Sequence, residues 1–240
     1  MACSRVRLVV FDVDGVLVPI HSSWGYLHEH YGSVEEARRN MELYKKGLIN
    51  YYEWMRLDVE AWIRAAGRPI TRRELEEVLG RVPVIPEARR AVEELHSMGV
   101  MTALLSGGID VLVERVAREL GVERWEANRL VFDERGLLVP GGIPIVEALG
   151  KDRVLRRMVS DLDVELEETM FVGDSQWDAP AFRVAGCSVL VGDAETGVDT
   201  DYRVDNVGEV PRIVRELNAH RAGPAARLIN PGPASLRDDP

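Results

Sequence analysis

The feature that most constrains this chain is the stretch at residues 7–13, RLVVFDV, where Leu, Val and Phe run almost without polar interruption into Asp12. A strand covered on both faces, as inside a parallel sheet, reads this way; a half-exposed strand would alternate. From residue 87 onward helix and strand patterns alternate. Helices are expected over 87–98 and 109–120, each closed by a glycine (Gly99, Gly121), and again over 151–162 and 210–220. Strands are expected over 100–105, 169–172 and 188–191, with a short one over 202–204. The apolar runs flanking residues 133–136 suggest a hairpin around a turn-rich centre. This alternation is that of an α/β layer protein.

Residues 22–79 interrupt the pattern. They carry almost no strand signal but three helix-start signatures, Ser33 with Glu36, Asn50 with Glu53 and Thr71 with Glu74. In each, a capping side chain is followed three residues later by a glutamate, an arrangement that satisfies otherwise orphaned amides. About four helices are expected. The expected layout is therefore a core of residues 1–18 and 83–221, a helical insert of residues 19–82, and a flexible tail of residues 222–240 that is rich in Pro, Gly and Ala.

Bulk properties narrow the partners. With 40 acidic against 30 basic side chains the formal charge is −10, which disfavours nucleic acid and anionic membrane surfaces. The first apolar stretch is broken by Asp12 and Asp14, too short and too charged for a leader or a membrane span. The two cysteines, Cys3 and Cys187, suggest no disulfide framework and fit a reducing, cytoplasmic setting. Arginine dominates the basic residues. The lysines are Lys45, Lys46 and Lys151.

Four stretches carry chemistry, each at the end of an expected strand or the start of a helix. Asp12 and Asp14 close the first strand; the pair suits attack on phosphorus with proton transfer, but also a solvated turn or a calcium loop. Ser106-Gly107-Gly108 offers backbone amides and a hydroxyl near a helix amino terminus, a seat for an anion as well as an everyday cap. Lys151 begins a helix, where the dipole disfavours a cation unless an anion lies close. Asp174 and Asp178 follow a buried strand; Asp174 suits a hard divalent cation, magnesium being the natural one, and Asp178 can fix Lys151. In open α/β sheets, ligands gather at these strand ends.

The order FDVDGV, LLSGG, GKDR and VGDSQWD resembles the haloacid dehalogenase superfamily of phosphohydrolases over residues 9–178. Within that superfamily the chain is most similar to phosphoserine phosphatase-like members, through SGG, the hairpin-like ANRLVFDERGLL and the placement of the insert. The resemblance implies a Rossmann-like three-layer α/β core with a parallel sheet, plus a small α-helical cap inserted after the first strand. It implies that Asp12 is the nucleophile forming an aspartyl phosphate and Asp14 the acid and base. Ser106, Gly107 and Lys151 would bind the phosphoryl group. Asp12, Asp14 (through its main-chain carbonyl) and Asp174 would ligate Mg²⁺, with Asp178 in support. The implied substrate is a small phosphorylated metabolite, phosphoserine among the candidates.

The likeness departs in places. Gly15-Val16 follows the first motif as in sugar-phosphate members, and Ser175 and Trp177 stand at changed places in the fourth. A phosphomutase of the same superfamily and a non-enzymatic phosphoacceptor domain are the competing readings. His21, Ser22, Ser23 and Trp24 follow the catalytic turn, where an aromatic with polar neighbours could contact the leaving group, but the favoured expectation is that Trp24, Tyr26, Tyr44, Tyr51, Trp54 and Trp62 fill the insert's own core. Arg38, Arg39, Arg56 and Arg64 are available to bind a substrate carboxylate, with no motif to choose among them.

Overall fold

The structure, a computed structural model, describes residue 3 and residues 5–221; the expected tail at residues 222–240 lies outside the described residues. The first strand, β1 (Leu8–Phe11), is completely buried. Four helices follow it: α1 (Ser23–Tyr31), α2 (Val34–Lys45), α3 (Tyr51–Ala66) and α4 (Arg72–Leu79). The chain then continues through α5 (Pro86–Ser97), β2 (Met101–Ile109), α6 (Asp110–Leu120), β3 (Arg124–Phe132) and β4 (Leu138–Ile143). It closes with α7 (Lys151–Asp161), β5 (Thr169–Gly173), α8 (Ala179–Val184), β6 (Cys187–Val191), β7 (Tyr202–Val204) and α9 (Val210–Arg221).

The seven strands form one sheet in the order β4-β3-β2-β1-β5-β6-β7. Every pairing is parallel except that of β3 with β4, the hairpin. β1 lies between β2 and β5, with Leu8 opposite both Met101 and Thr169. From β1 the chain builds outward through β2, β3 and β4 to one edge, then crosses by α7 to β5 on the other side of β1, and such a switch point opens a crevice at the strand ends.

Side-chain alternation along the strands builds the three layers. Val9 and Phe11 of β1 join Leu104, Met170 and Val172 in a cluster packed against α5, α6 and α9. Leu8 and Val10 point the other way and meet Phe171, Leu155 and Met158 beneath α7. Burial of each such side chain contributes about 1.5–3 kcal/mol. The first cluster extends without a break into the inserted helices through Leu27, Val59, Trp62 and Leu75, all fully buried. α3 also runs close over β4, so that a Cβ at Gly142 would overlap the Met55 side chain.

Local chemistry sets the helix ends. Asn50 and Glu53 form a reciprocal capping box, and Thr71 caps α4 through the Glu74 amide at 3.1 Å. Ser33 does not cap α2; its hydroxyl pairs instead with His28 Nδ1 at 2.8 Å. Ser22 caps α1 by accepting from the Gly25 amide at 3.1 Å.

Besides the cap expected at Ser33, two expectations are corrected, and one helix was not foreseen. Ser106-Gly107-Gly108 is not a loop leading into a helix but the continuation of β2, which runs to Ile109. The short α8, hidden by its Pro180, had no counterpart in the sequence pattern. Cys3 and Cys187 form a disulfide with their Cα atoms 4.9 Å apart. That bond ties the beginning of the chain to β6 and removes the inference of a reducing compartment drawn from the cysteine count. Among the described residues, no helix is long and apolar enough to cross a membrane.

Candidate active site

Asp12 follows β1 directly and is 6% exposed. One of its oxygens accepts from the Val13 amide at 2.7 Å, and the other accepts from Lys151 Nζ at 2.7 Å. Lys151, the first residue of α7 and 3% exposed, also donates to Asp178 Oδ1 at 2.5 Å. The anionic partner that a lysine at a helix amino terminus requires is therefore present twice over. Burial pulls the ammonium pKa down, but Asp12 and Asp178 together outweigh it and hold Lys151 above its ordinary value.

Asp178 is spent on structure. Its second oxygen accepts from the amides of Asp174 and Ser175, at 3.0 and 3.1 Å, and from the Ser175 hydroxyl at 3.3 Å. Asp174 stands beside it with a carboxyl pushed up to about 6, first by burial and then by the neighbouring Asp178. Carboxylate oxygens of Asp12, Asp174 and Asp178 lie within 4.8 Å of one another. Asp178 Oδ2 already takes three donors, whereas each Asp12 oxygen takes one, so Asp12 and Asp174 are the pair with lone pairs left for a cation. Gly15, at φ 75°, permits this arrangement, for a Cβ there would coincide with the Asp174 carboxyl group.

Asp14 turns the other way. Its Oδ2 accepts from the Ser23 amide at 2.7 Å and from the Ser23 hydroxyl at 2.8 Å, while its buried Oδ1 has no hydrogen-bond partner among the described residues. Burial raises the Asp14 carboxyl above its usual range, and the Ser23 bonds recover part of that shift. An orphaned carboxyl oxygen in a cavity wall is costly unless something binds there. Burial likewise lifts Asp12, against the pull of Lys151.

Ser106 and Gly107 border the same cavity. The Ser106 oxygen accepts from the Gly108 amide at 3.0 Å, which leaves its hydroxyl proton to donate elsewhere. Gly108 has no room for a side chain: a Cβ would lie 2.6 Å from Ser23 Oγ and 2.8 Å from Asp14 Oδ2. Asp12, Asp14, Ser106, Gly107, Lys151 and Asp174 line one cavity of about 150 Å³, and Asp178 supports it from behind.

Several lining or supporting residues escaped the sequence reading. Asn128 of β3, fully buried, accepts from the amides of Ile145 and Val146, both at 2.9 Å, and its amide nitrogen lies 2.8 Å from the Gly107 carbonyl. It thereby ties β3 to the end of β2 beside Ser106 and to the segment that follows β4. Tyr51 and Trp54 line the cavity instead of only filling the insert, as do His21, Ser22 and Trp24, the less favoured of the two expectations for that stretch, whereas Trp62 is core and stacks on Trp24. Asp58 of α3 lines it too. Arg38, Arg39, Arg56 and Arg64 do not. An apolar helical stripe looks alike on the sequence whether it faces a core or a cavity, so only Asp58, an acid within that stripe, could have signalled the difference.

With four carboxylates around one lysine, the site carries surplus negative charge, and hard oxygen donors of this kind suit a small divalent cation such as Mg²⁺. The chain is 24% identical over 185 residues to phosphoserine phosphatase of Methanocaldococcus jannaschii, covering 77% of this chain and 85% of that one. It is 29% identical over 190 residues to phosphoserine phosphatase SerB2 of Mycobacterium tuberculosis, covering 79% of this chain and 45% of that one. A solved phospho-aspartyl intermediate analogue of phosphoserine phosphatase has the same fold, with a TM-score of 0.72 at 22% identity, covering 88% of this chain and 99% of that one. The model of the haloacid dehalogenase-like hydrolases matches residues 6–186, and the chain belongs to that family.

Proposed function

We propose that this protein is a Mg²⁺-dependent phosphoric monoester hydrolase that acts on a small phosphorylated metabolite through an aspartyl phosphate at Asp12. The observation that carries the reading is the position of Asp12, with one oxygen held by Lys151 at 2.7 Å in a cavity shared with Ser106, Asp14 and Asp174. In the first step an Asp12 oxygen bonds to phosphorus as the ester P–O bond breaks, and Asp14 gives its proton to the departing alkoxide. In the second, Asp14 takes a proton from water, the water oxygen bonds to phosphorus, and the bond to Asp12 breaks to release inorganic phosphate. Ser106, the Gly107 amide and Lys151 hold the phosphoryl oxygens as charge spreads over them. Asp12, Asp174 and the main-chain carbonyl of Asp14 would hold the cation, which when bound supplies positive charge against the dianionic phosphate.

The raised carboxyl of Asp14 supports its part, since a group that keeps its proton nearer neutrality is a better acid toward an alkoxide. The four inserted helices act as the cap: the Trp24 indole reaches the Gly107 carbonyl at 3.2 Å and Ser23 reaches Asp14. The test is release of inorganic phosphate from an aryl phosphate, with and without Mg²⁺, by the wild type and Asp12→Asn. Turnover only in the Mg²⁺-loaded wild type is expected. Equal activity of the two proteins overturns the assignment of Asp12.

A further inference from the structure

The part of the cavity lining that comes from the inserted helices has a character of its own. On α3, Tyr51, Trp54, Met55 and Asp58 recur at helical spacing and form one face, and all four line the cavity. Trp24 of α1 and Trp177, after β5, complete the wall. Trp54 stacks on Tyr44 at 4.7 Å and meets the edge of Tyr51 at 5.6 Å, and Trp24 stacks on Trp62 at 5.3 Å, so these rings are braced from behind. Asp58 is 4% exposed. Its Oδ1 accepts from Asn40 Nδ2 at 2.8 Å and lies 3.4 Å from His28 Nε2; Oδ2 has no donor among the described residues. No arginine lines the cavity, and Lys151 is engaged by Asp12 and Asp178. Lys45, exposed, stands 5.9 Å over the Trp177 ring at the rim.

We infer that the leaving alcohol carries a positive charge, an ammonium or alkylammonium group seated among Trp24, Tyr51, Trp54 and Trp177 with Asp58 as its counter-ion. This rests on the phosphatase reading and sharpens it. The negative faces of aromatic rings attract a cation, most strongly where water is excluded, and a buried carboxylate with an open oxygen adds to the attraction. A carboxylate-bearing alcohol such as phosphoserine would bring a second anion to a wall that offers it Asp58 and no guanidinium.

The experiment measures kcat/KM of the Mg²⁺-loaded protein for phosphocholine, for its uncharged isostere with a tert-butyl group in place of trimethylammonium, for phospho-L-serine and for an aryl phosphate. Tryptophan fluorescence is followed in parallel during titration with choline. Phosphocholine is expected to exceed both its isostere and phospho-L-serine by about tenfold or more, and choline to quench the fluorescence saturably. Asp58→Asn should lower the phosphocholine-to-isostere ratio by about the same factor, and Trp54→Leu should weaken the choline titration should the first variant fail to fold. Turnover of the aryl phosphate with no preference for the charged substrate, or a preference for phospho-L-serine that Lys45→Ala abolishes, overturns the inference and leaves the phosphatase reading intact. Saturable choline binding without turnover of any ester overturns the phosphatase reading instead, and supports the cation seat.

Discussion

Ser23, the first residue of α1, gives both its amide and its hydroxyl to one oxygen of Asp14, at 2.7 and 2.8 Å, and is itself fully buried. The first inserted helix thus fixes the carboxyl group assigned as the acid and base. The Ser23 oxygen also accepts from the Ile109 amide at 3.1 Å, joining the end of β2 to the same point. Ser23 is in this sense a positioning residue.

Ser23→Ala removes one of the two donors, and kcat should fall roughly ten- to thirtyfold, the worth of a hydrogen bond to a charged group. The sign of the pH effect separates positioning from simple damage. Hydrogen bonds to the ionised form lower the Asp14 value, against burial, which raises it. Losing the hydroxyl therefore raises it further, and the limb of the kcat profile owed to Asp14 should move to higher pH. Loss of rate with an unmoved profile would assign Ser23 a structural part only.

Lys151 presents the reverse case, a cation whose removal strands two anions. With Asp12 and Asp178 both buried against it, Lys151→Met should cost about 3–5 kcal/mol of stability, because uncompensated charges stay behind. It should also lower kcat by about 10²–10³-fold through the lost contact to the phosphoryl oxygens. Thermal melts and steady-state rates check the two effects separately. A variant that melts lower yet keeps kcat within about threefold would confine Lys151 to holding Asp12 and Asp178 in place, with no part in binding phosphate.

How much of this was legible depends on which physical signal each part leaves on the sequence. β1 announced itself because a strand buried on both faces is continuously apolar, and the capping pairs at Asn50 and Thr71 are local chemistry that needs no tertiary context. The glycines at 107 and 108 misled, since they read as a turn; here they continue β2 through an irregularity of its register, and residue 108 is a glycine because Ser23 and Asp14 occupy the space of a side chain. The Cys3–Cys187 bond spans 184 positions and leaves no local trace. The stripe on α3 was read as core because hydrophobic periodicity reports a buried face, not what lies across from it. Asn128 was passed over for a related reason, as its five polar partners come from segments distant in sequence or from backbone groups.

The carboxyl of Asp174 makes metal binding and pH inseparable. Its folded value, about 6, lies above that of a carboxyl in an unfolded chain, through burial first and the charge of Asp178 second. For an acid shifted in this direction the metal-free fold is favoured while the proton is held, and that advantage is lost as pH rises through about 6. A cation needs the ionised form, so its binding should relieve the penalty above that pH and compete with the proton below it. The melting temperature should therefore rise with Mg²⁺ at pH 7.5, and the increment should shrink steadily as the buffer is taken down through about 6. Excess chelator should abolish both the increment and turnover. Gly15→Ala supplies the control, since a Cβ at that position overlaps the Asp174 carboxyl group and must displace it. That variant should lose the Mg²⁺ increment at every pH while costing on the order of 1–2 kcal/mol in the metal-free protein, the penalty for a side chain in the left-handed region. An increment in Gly15→Ala equal to that of the wild type would mean that the cation sits elsewhere than against Asp174.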